Sequence, residues 1–111
     1  MLPQVKERPL PFSAAKKLPK DIINLKLSGQ LIDASGSVGA NYREANEAVS
    51  GKDFAHKMKI TRKECKESSY WLNLLKEANI QFAPEIENFI NESKELRSIF
   101  TSIIDKSIQR N

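Results

Sequence analysis

Three residue types in this 111-residue chain could carry chemistry: one His, one Cys and a run of lysines. Asp53-Phe-Ala-His56 sets a carboxylate and an imidazole three residues apart, on one helix face. A di-iron centre in a helical bundle takes two Glu-x-x-His motifs, both facing inward. Here the pattern occurs once, and His56 falls on the basic side of its helix, so a surface histidine is the better reading and no metal or cofactor is expected. Cys65 stands on an apolar line between Thr61 and Ser68, which reads as a buried thiol. As a nucleophile it would lack a second His to act as base. Glu44 and Glu47 have acid/base spacing, but that spacing is common on solvated helices and no pocket signal accompanies it. Gly51-Lys52 is followed by Asp53, so the phosphate-loop ending Gly-Lys-Ser/Thr is not met. No catalytic residue is assigned, and a non-enzyme is expected.

The lysines carry more. At about 100° per residue, Lys52, His56, Lys59, Lys63 and Lys66 fall within roughly 40° of one line along a helix. Lys57 and Arg62 flank that line, while Phe54, Met58, Thr61 and Cys65 lie opposite. A straight cationic ridge can follow a phosphodiester backbone, each ammonium serving one phosphate as a point charge. Two other readings stand beside it: a solvated face with Lys63 and Glu67 as an i,i+4 pair, or a surface that pairs with acidic residues of a neighbouring subunit. No aromatic residue interrupts the stripe, so base stacking and sequence reading are not expected.

The elements that must hold this ridge follow from composition and periodicity. At 40% hydrophobic and 29% charged residues, the chain matches a soluble globular domain. Its length suits one domain, read here as residues 1–111. One Cys excludes an intrachain disulfide framework. No run of eighteen apolar residues occurs, and the opening Met-Leu-Pro-Gln-Val-Lys-Glu-Arg-Pro lacks the apolar stretch of a signal peptide, so a cytoplasmic location without membrane contact is expected. Charge is uneven: residues 1–66 hold 13 bases against 7 acids, net +6, and residues 67–111 hold 5 against 7, net −2. Any basic surface therefore belongs to the first sixty percent of the chain.

Four of the five prolines lie in residues 1–20, which leaves room for a helix of about two turns between Pro11 and Leu18. Asp21 is an N-cap signal for a helix to about Val49. Ser50 with Asp53 signals the next, over about 52–78. Pro84 with Glu85 and Glu87 opens a last helix to about Ile108. Apolar or small residues recur at alternating four- and three-residue steps in each: Leu27, Leu31, Ala34, Val38, Asn41, Ala45 and Ala48; then Phe54, Met58, Thr61, Cys65, Ser68, Leu72 and Leu75; then Ile86, Phe89, Ser93, Leu96, Phe100, Ile103 and Ser107. Such seams with short connections predict an all-α, antiparallel up-down four-helix bundle with a shortened first helix. The polar seam residues read as groups that fix helix register once hydrogen-bonded.

Two glycines inside Ser35-Gly-Ser-Val-Gly-Ala-Asn-Tyr-Arg-Glu-Ala45 should each cost about 1 kcal/mol relative to alanine. Gly36 and Gly39, with Ser35 and Ala40, would admit a neighbouring helix closely. Together with Gln30-Leu31, Asp53-Phe54, His56-Lys57, Lys63-Glu64 and Tyr70-Trp71-Leu72, this segment resembles the four helix bundle protein family of 23S rRNA intervening sequences. That fold includes the retroelement accessory protein Avd. The resemblance runs from about Glu7 to Ile104, with Gly36, Gly39, Asn41, Glu44, Phe54 and Trp71 among its motif and packing residues. It implies a bacterial, ring-shaped homopentamer, association with RNA or DNA, and for the retroelement member a reverse transcriptase partner. The chain departs from the family in the segment between Glu7-Arg8 and Leu18-Pro19-Lys20, about two helical turns short.

Two functions are carried forward. One is a non-catalytic oligomeric bundle that binds nucleic acid non-specifically through Lys52, His56, Lys59, Arg62, Lys63 and Lys66. The other is an adaptor that docks a protein partner in an apolar groove, with exposed apolar surface expected near Leu25, Ile32 and Ile104.

Overall fold

Asp21 and Ser50 start the two helices that frame the molecule. A computed structural model describes residues 12–109. Helix α1 spans Phe12–Lys17, α2 Ile22–Asn46, α3 Gly51–Ala78 and α4 Ala83–Gln109, with a single 3-10 turn at Ile80–Phe82. Residues 1–11, including Pro11 at the expected start of α1, lie outside the described part. The Asp21 carboxylate accepts the backbone N–H of Asn24 at 2.8 Å, and Ser50 Oγ accepts that of Asp53 at 3.0 Å. Each satisfies a donor that the helix itself leaves without a partner. Pro84 occupies the first turn of α4, where its missing N–H costs nothing.

Helix α2 ends at Asn46, three residues before the expected Val49. Ser50 must be extended to cap α3 (φ −149°, ψ 162°), so the chain has to leave the helix ahead of it. The Glu47 N–H turns back onto the carbonyls of Glu44 and Ala45, and Val49 is left 95% exposed.

The short connections at 47–50 and 79–82 make successive long helices antiparallel, with α3 in the middle and α2 and α4 packed along it. Among the described residues there is no strand, and the fold is an all-α helical bundle. The core is two apolar clusters in series. Leu18, Leu31, Leu72, Leu75, Ile86 and Ile90 fill one end, with half-buried Leu27 and Trp71 against them. Tyr42, Ala45, Met58, Cys65, Phe100 and Ile104 fill the other, with Phe54 against them. Each fully buried large side chain, such as Phe100 or Met58, contributes about 1.5–3 kcal/mol by leaving water.

Buried polar groups interrupt the apolar lines of α3 and α4. Ser69 and Ser93 share a hydroxyl–hydroxyl hydrogen bond across α3 and α4, and Ser93 also donates to the Ile90 carbonyl at 2.8 Å. Thr61 donates to the Lys57 carbonyl at 2.9 Å. Among the described residues, every buried side-chain nitrogen and oxygen has a partner.

Two packing expectations are corrected. Ile104 is buried in the second cluster, because α4 turns it toward Tyr42 and Met58, so it offers no apolar surface. A Cβ added at Gly36 or Gly39 would meet nothing within 4 Å, so neither glycine admits a helix of this chain. Both sit on the side of α2 turned away from α3, and Gly29 is equally open.

Candidate nucleic-acid interface

The cationic residues of α3 meet α4 along a shallow groove of about 820 Å³. Lys59, Arg62, Lys63 and Lys66 line it from α3, and Arg97, Ser98 and Thr101 from α4. Amphipathic α3 commits Met58, Thr61, Cys65 and Ser68 to the core, and that forces the lysines to the opposite side. Lys59, Lys63 and Lys66 are exposed, while Arg62 is half-buried and lays its stem along the helix junction. Its guanidinium donates to Thr101 Oγ1 at 3.4 Å, and Thr101 donates to the Arg97 carbonyl at 2.9 Å. Five cations and two hydroxyls thus line one groove, with no carboxylate among the lining residues.

The structure brings four of the six expected site residues together, Lys59, Arg62, Lys63 and Lys66. Lys52 and His56 are exposed one to two turns toward the start of α3 and do not line the groove. Lys57, at the flank, turns to α2: its ammonium donates to Glu44 at 2.9 Å, and that bond holds Lys57 above the usual lysine range. Glu44 is thus the ion-pair partner of Lys57.

Arg97 was not anticipated. The pairs Arg62–Thr101 and Lys76–Glu87 fix an antiparallel register in which Arg97 stands opposite Lys66. Knowing the turn at 79–82, that register could have been counted from the sequence. Arg97 is close enough for its charge to act on Cys65, yet burial dominates there and pushes the Cys65 thiol up to about 11. The thiol donates to the Ser93 carbonyl at 3.2 Å and stays protonated at neutral pH.

Glu64 lies on α3 outside the groove lining. Partial burial raises its carboxyl above the ordinary value, and the charge and hydrogen bond of Glu67 raise it further; Lys63 opposes them. Among the described residues, no group of three or more His, Cys, Asp or Glu is placed to hold a metal ion, and no helix is long and apolar enough to cross a membrane.

A second groove, of about 480 Å³, runs along α2 beside Trp71. Leu25, Leu27, Gly29 and Trp71 form its apolar part, and Lys26, Gln30 and Asp33 its polar part. Leu25 is 57% exposed and Ile32 43%.

Comparison with known proteins agrees with this architecture. The family model described as 23S rRNA-intervening sequence protein matches residues 12–102. A solved structure, described as a protein of unknown function from the S23 ribosomal protein family of Bacteroides thetaiotaomicron VPI-5482, superposes with a TM-score of 0.67. It is 33% identical, and the match covers 86% of this chain and 82% of that one. No curated protein matches. With the family model spanning all of α2 and α3 and most of α4, the chain belongs to the 23S rRNA-intervening sequence protein family.

Proposed function

We propose that this protein is a non-catalytic, oligomeric helical bundle that binds RNA or DNA without sequence preference through the α3–α4 groove. The observation that carries the reading is the lining itself: Lys59, Arg62, Lys63, Lys66 and Arg97 converge with no carboxylate among them. Like charges so close repel one another, and a polyanion relieves that repulsion while releasing its own counterions. Arginine adds a planar fork that suits phosphate, and Ser98 and Thr101 add hydroxyls at the same level.

Assembly into a homo-oligomer, a pentamer by family resemblance, would multiply a weak site through multivalency. The outer face of α2 supports self-association: Ile22, Leu25 and Ile32 are exposed there, and Gly29, Gly36 and Gly39 leave room for close approach. The test of the binding reading is the double variant Lys59→Glu with Lys63→Glu. Both positions are exposed, so helicity should persist while affinity for a mixed oligonucleotide pool at low salt is lost; unchanged affinity rejects the assignment.

A second reading rests on the groove beside Trp71. Exposed Leu25 and Ile32 suit a protein partner bound by apolar contact, and such binding would be insensitive to moderate salt. An environment-sensitive dye that finds no apolar patch on the purified protein would count against it.

A further inference from the structure

Tyr70 lies on the lysine line of α3, one helical turn beyond Lys66 and outside the residues that line the groove. Counting about 100° per residue, Tyr70 returns to the angular position of Lys52, Lys59 and Lys63, and it stands about 6 Å past Lys66 along the axis. Tyr70 is 58% exposed, as its place on the lysine side of α3 requires. Its neighbour Trp71 is half-buried against the Leu18–Leu72 cluster and meets the Tyr70 ring edge to face, at 4.9 Å between centroids and 73° between planes. A packed indole thus steadies a phenol ring whose own surface is more than half open to water. Beyond Tyr70 the line changes character: Asn73 and then Glu77 follow, both exposed. Glu67 stands beside this line between Lys63 and Tyr70, at i,i+4 spacing from Lys63, and Glu77 lies beyond the ring, so the aromatic surface comes between Lys66 and Glu77.

Resting on the reading of the groove as a nucleic-acid site, we infer that Tyr70 is a base-stacking platform and that the ligand class is single-stranded nucleic acid. A backbone held along Lys59, Lys63, Lys66 and Arg97 presents its next unpaired base to the ring. A duplex keeps its bases stacked on one another and has none to offer. This reverses the expectation, drawn from the lysine spacing alone, that stacking plays no part.

The test measures the anisotropy of labelled oligonucleotides of about 15 nucleotides, a length within the usual single-strand site range. One is single-stranded and of mixed sequence, and the other is its duplex. Wild type, Tyr70→Ala and Tyr70→Phe are compared, with circular dichroism to check that each variant keeps its helix content. Removing one stacking partner should weaken single-strand binding about 5- to 150-fold, the span that corresponds to about 1–3 kcal/mol per stacked base. Tyr70→Phe should stay within about twofold of wild type, because the π-face is kept. Duplex affinity should be the same in all three proteins. Trp71 is the only tryptophan, so single-strand addition should also change its fluorescence in the wild type and much less in Tyr70→Ala. Equal single-strand affinity in wild type and Tyr70→Ala overturns the inference and leaves the basic groove standing, as does an equal loss for both ligands. A wild type that binds neither ligand at low salt overturns the groove reading and this inference together.

Discussion

Asn24 and Asn79 are 55 residues apart in sequence and are joined side chain to side chain by two hydrogen bonds. The Asn24 amide donates to Asn79 Oδ1 at 2.9 Å, and the Asn79 amide donates back to Asn24 Oδ1 at 2.7 Å. Each amide spends its second hydrogen on a backbone carbonyl, that of Pro19 for Asn24 and that of Leu75 for Asn79. Both residues are buried. This closed set ties the start of α2 to the end of α3, and through Pro19 it fixes the segment that leads from α1. It thereby sets the register in which α3 presents its basic face.

Replacing either asparagine by alanine strands a buried amide and should cost about 1–3 kcal/mol in urea unfolding. The double variant should lose less than the two singles added together, since neither side then keeps an orphaned partner. Strict additivity would mean that the pair does not act as a unit.

Gly29, Gly36 and Gly39 lie in mid-helix with open space where a Cβ would go. Alanine at any of them should stabilise the isolated chain by about 0.5–1 kcal/mol, by lowering the freedom of the unfolded state. Thermal melts of dilute protein check this. Loss of stability on Gly36→Ala would show that another molecule already occupies the space.

How much of this could be read from the sequence depends on the range of the interaction. Asp21, Ser50 and Pro84 act within three residues of themselves, and their helix-start signals suffice. The buried line Met58, Thr61, Cys65, Ser68, Leu72 and Leu75 follows from period alone, because α3 has one apolar side. Helix α4 has two adjacent apolar lines: of the residues that periodicity selected, Ile86, Ser93 and Phe100 are buried but Phe89, Leu96 and Ile103 only half-buried, while Ile90 and Ile104, which it passed over, are buried. Only the position of α3 and α2 decides between them. The Asn24–Asn79 pair depends on inter-helix register, which no local pattern encodes, and the place of Arg97 follows only once the length of the turn at 79–82 is added to the two helix periods. Tyr70 was within reach of the same angular count that found the lysines, but that count followed the cations and ended at Lys66.

Glu64 links folding to pH. Partial burial, with Glu67 as the second cause, holds its folded carboxyl above the unfolded value, so the folded chain binds the proton more tightly. This term favours folding at acid pH and fades as pH rises through the carboxylate range into neutrality. Glu64→Gln should therefore be more stable than wild type at pH 7, with the advantage shrinking toward pH 4. Urea midpoints at the two pH values test it, and an advantage that grows on acidification would contradict the assigned cause.

Cys65 should resist thiol reagents in the folded protein. With its pKa at about 11, the thiolate is about one part in a thousand at pH 8, and burial adds a steric barrier. Labelling should follow global unfolding in urea. Rapid stoichiometric labelling of the native protein would show that the second core cluster, which holds Cys65, opens readily.

The groove of Lys59, Arg62, Lys63, Lys66 and Arg97 is the centre of the functional account, and the salt dependence of oligonucleotide binding tests it most directly. Anisotropy titrations from about 50 to 200 mM salt should give a steep linear fall of log affinity against log salt. The Lys59→Glu, Lys63→Glu variant should bind more weakly at every salt concentration and with a shallower slope, having fewer phosphate contacts from which to release counterions. Affinity that is flat in salt, or a double variant with the wild-type slope and affinity, would contradict the account.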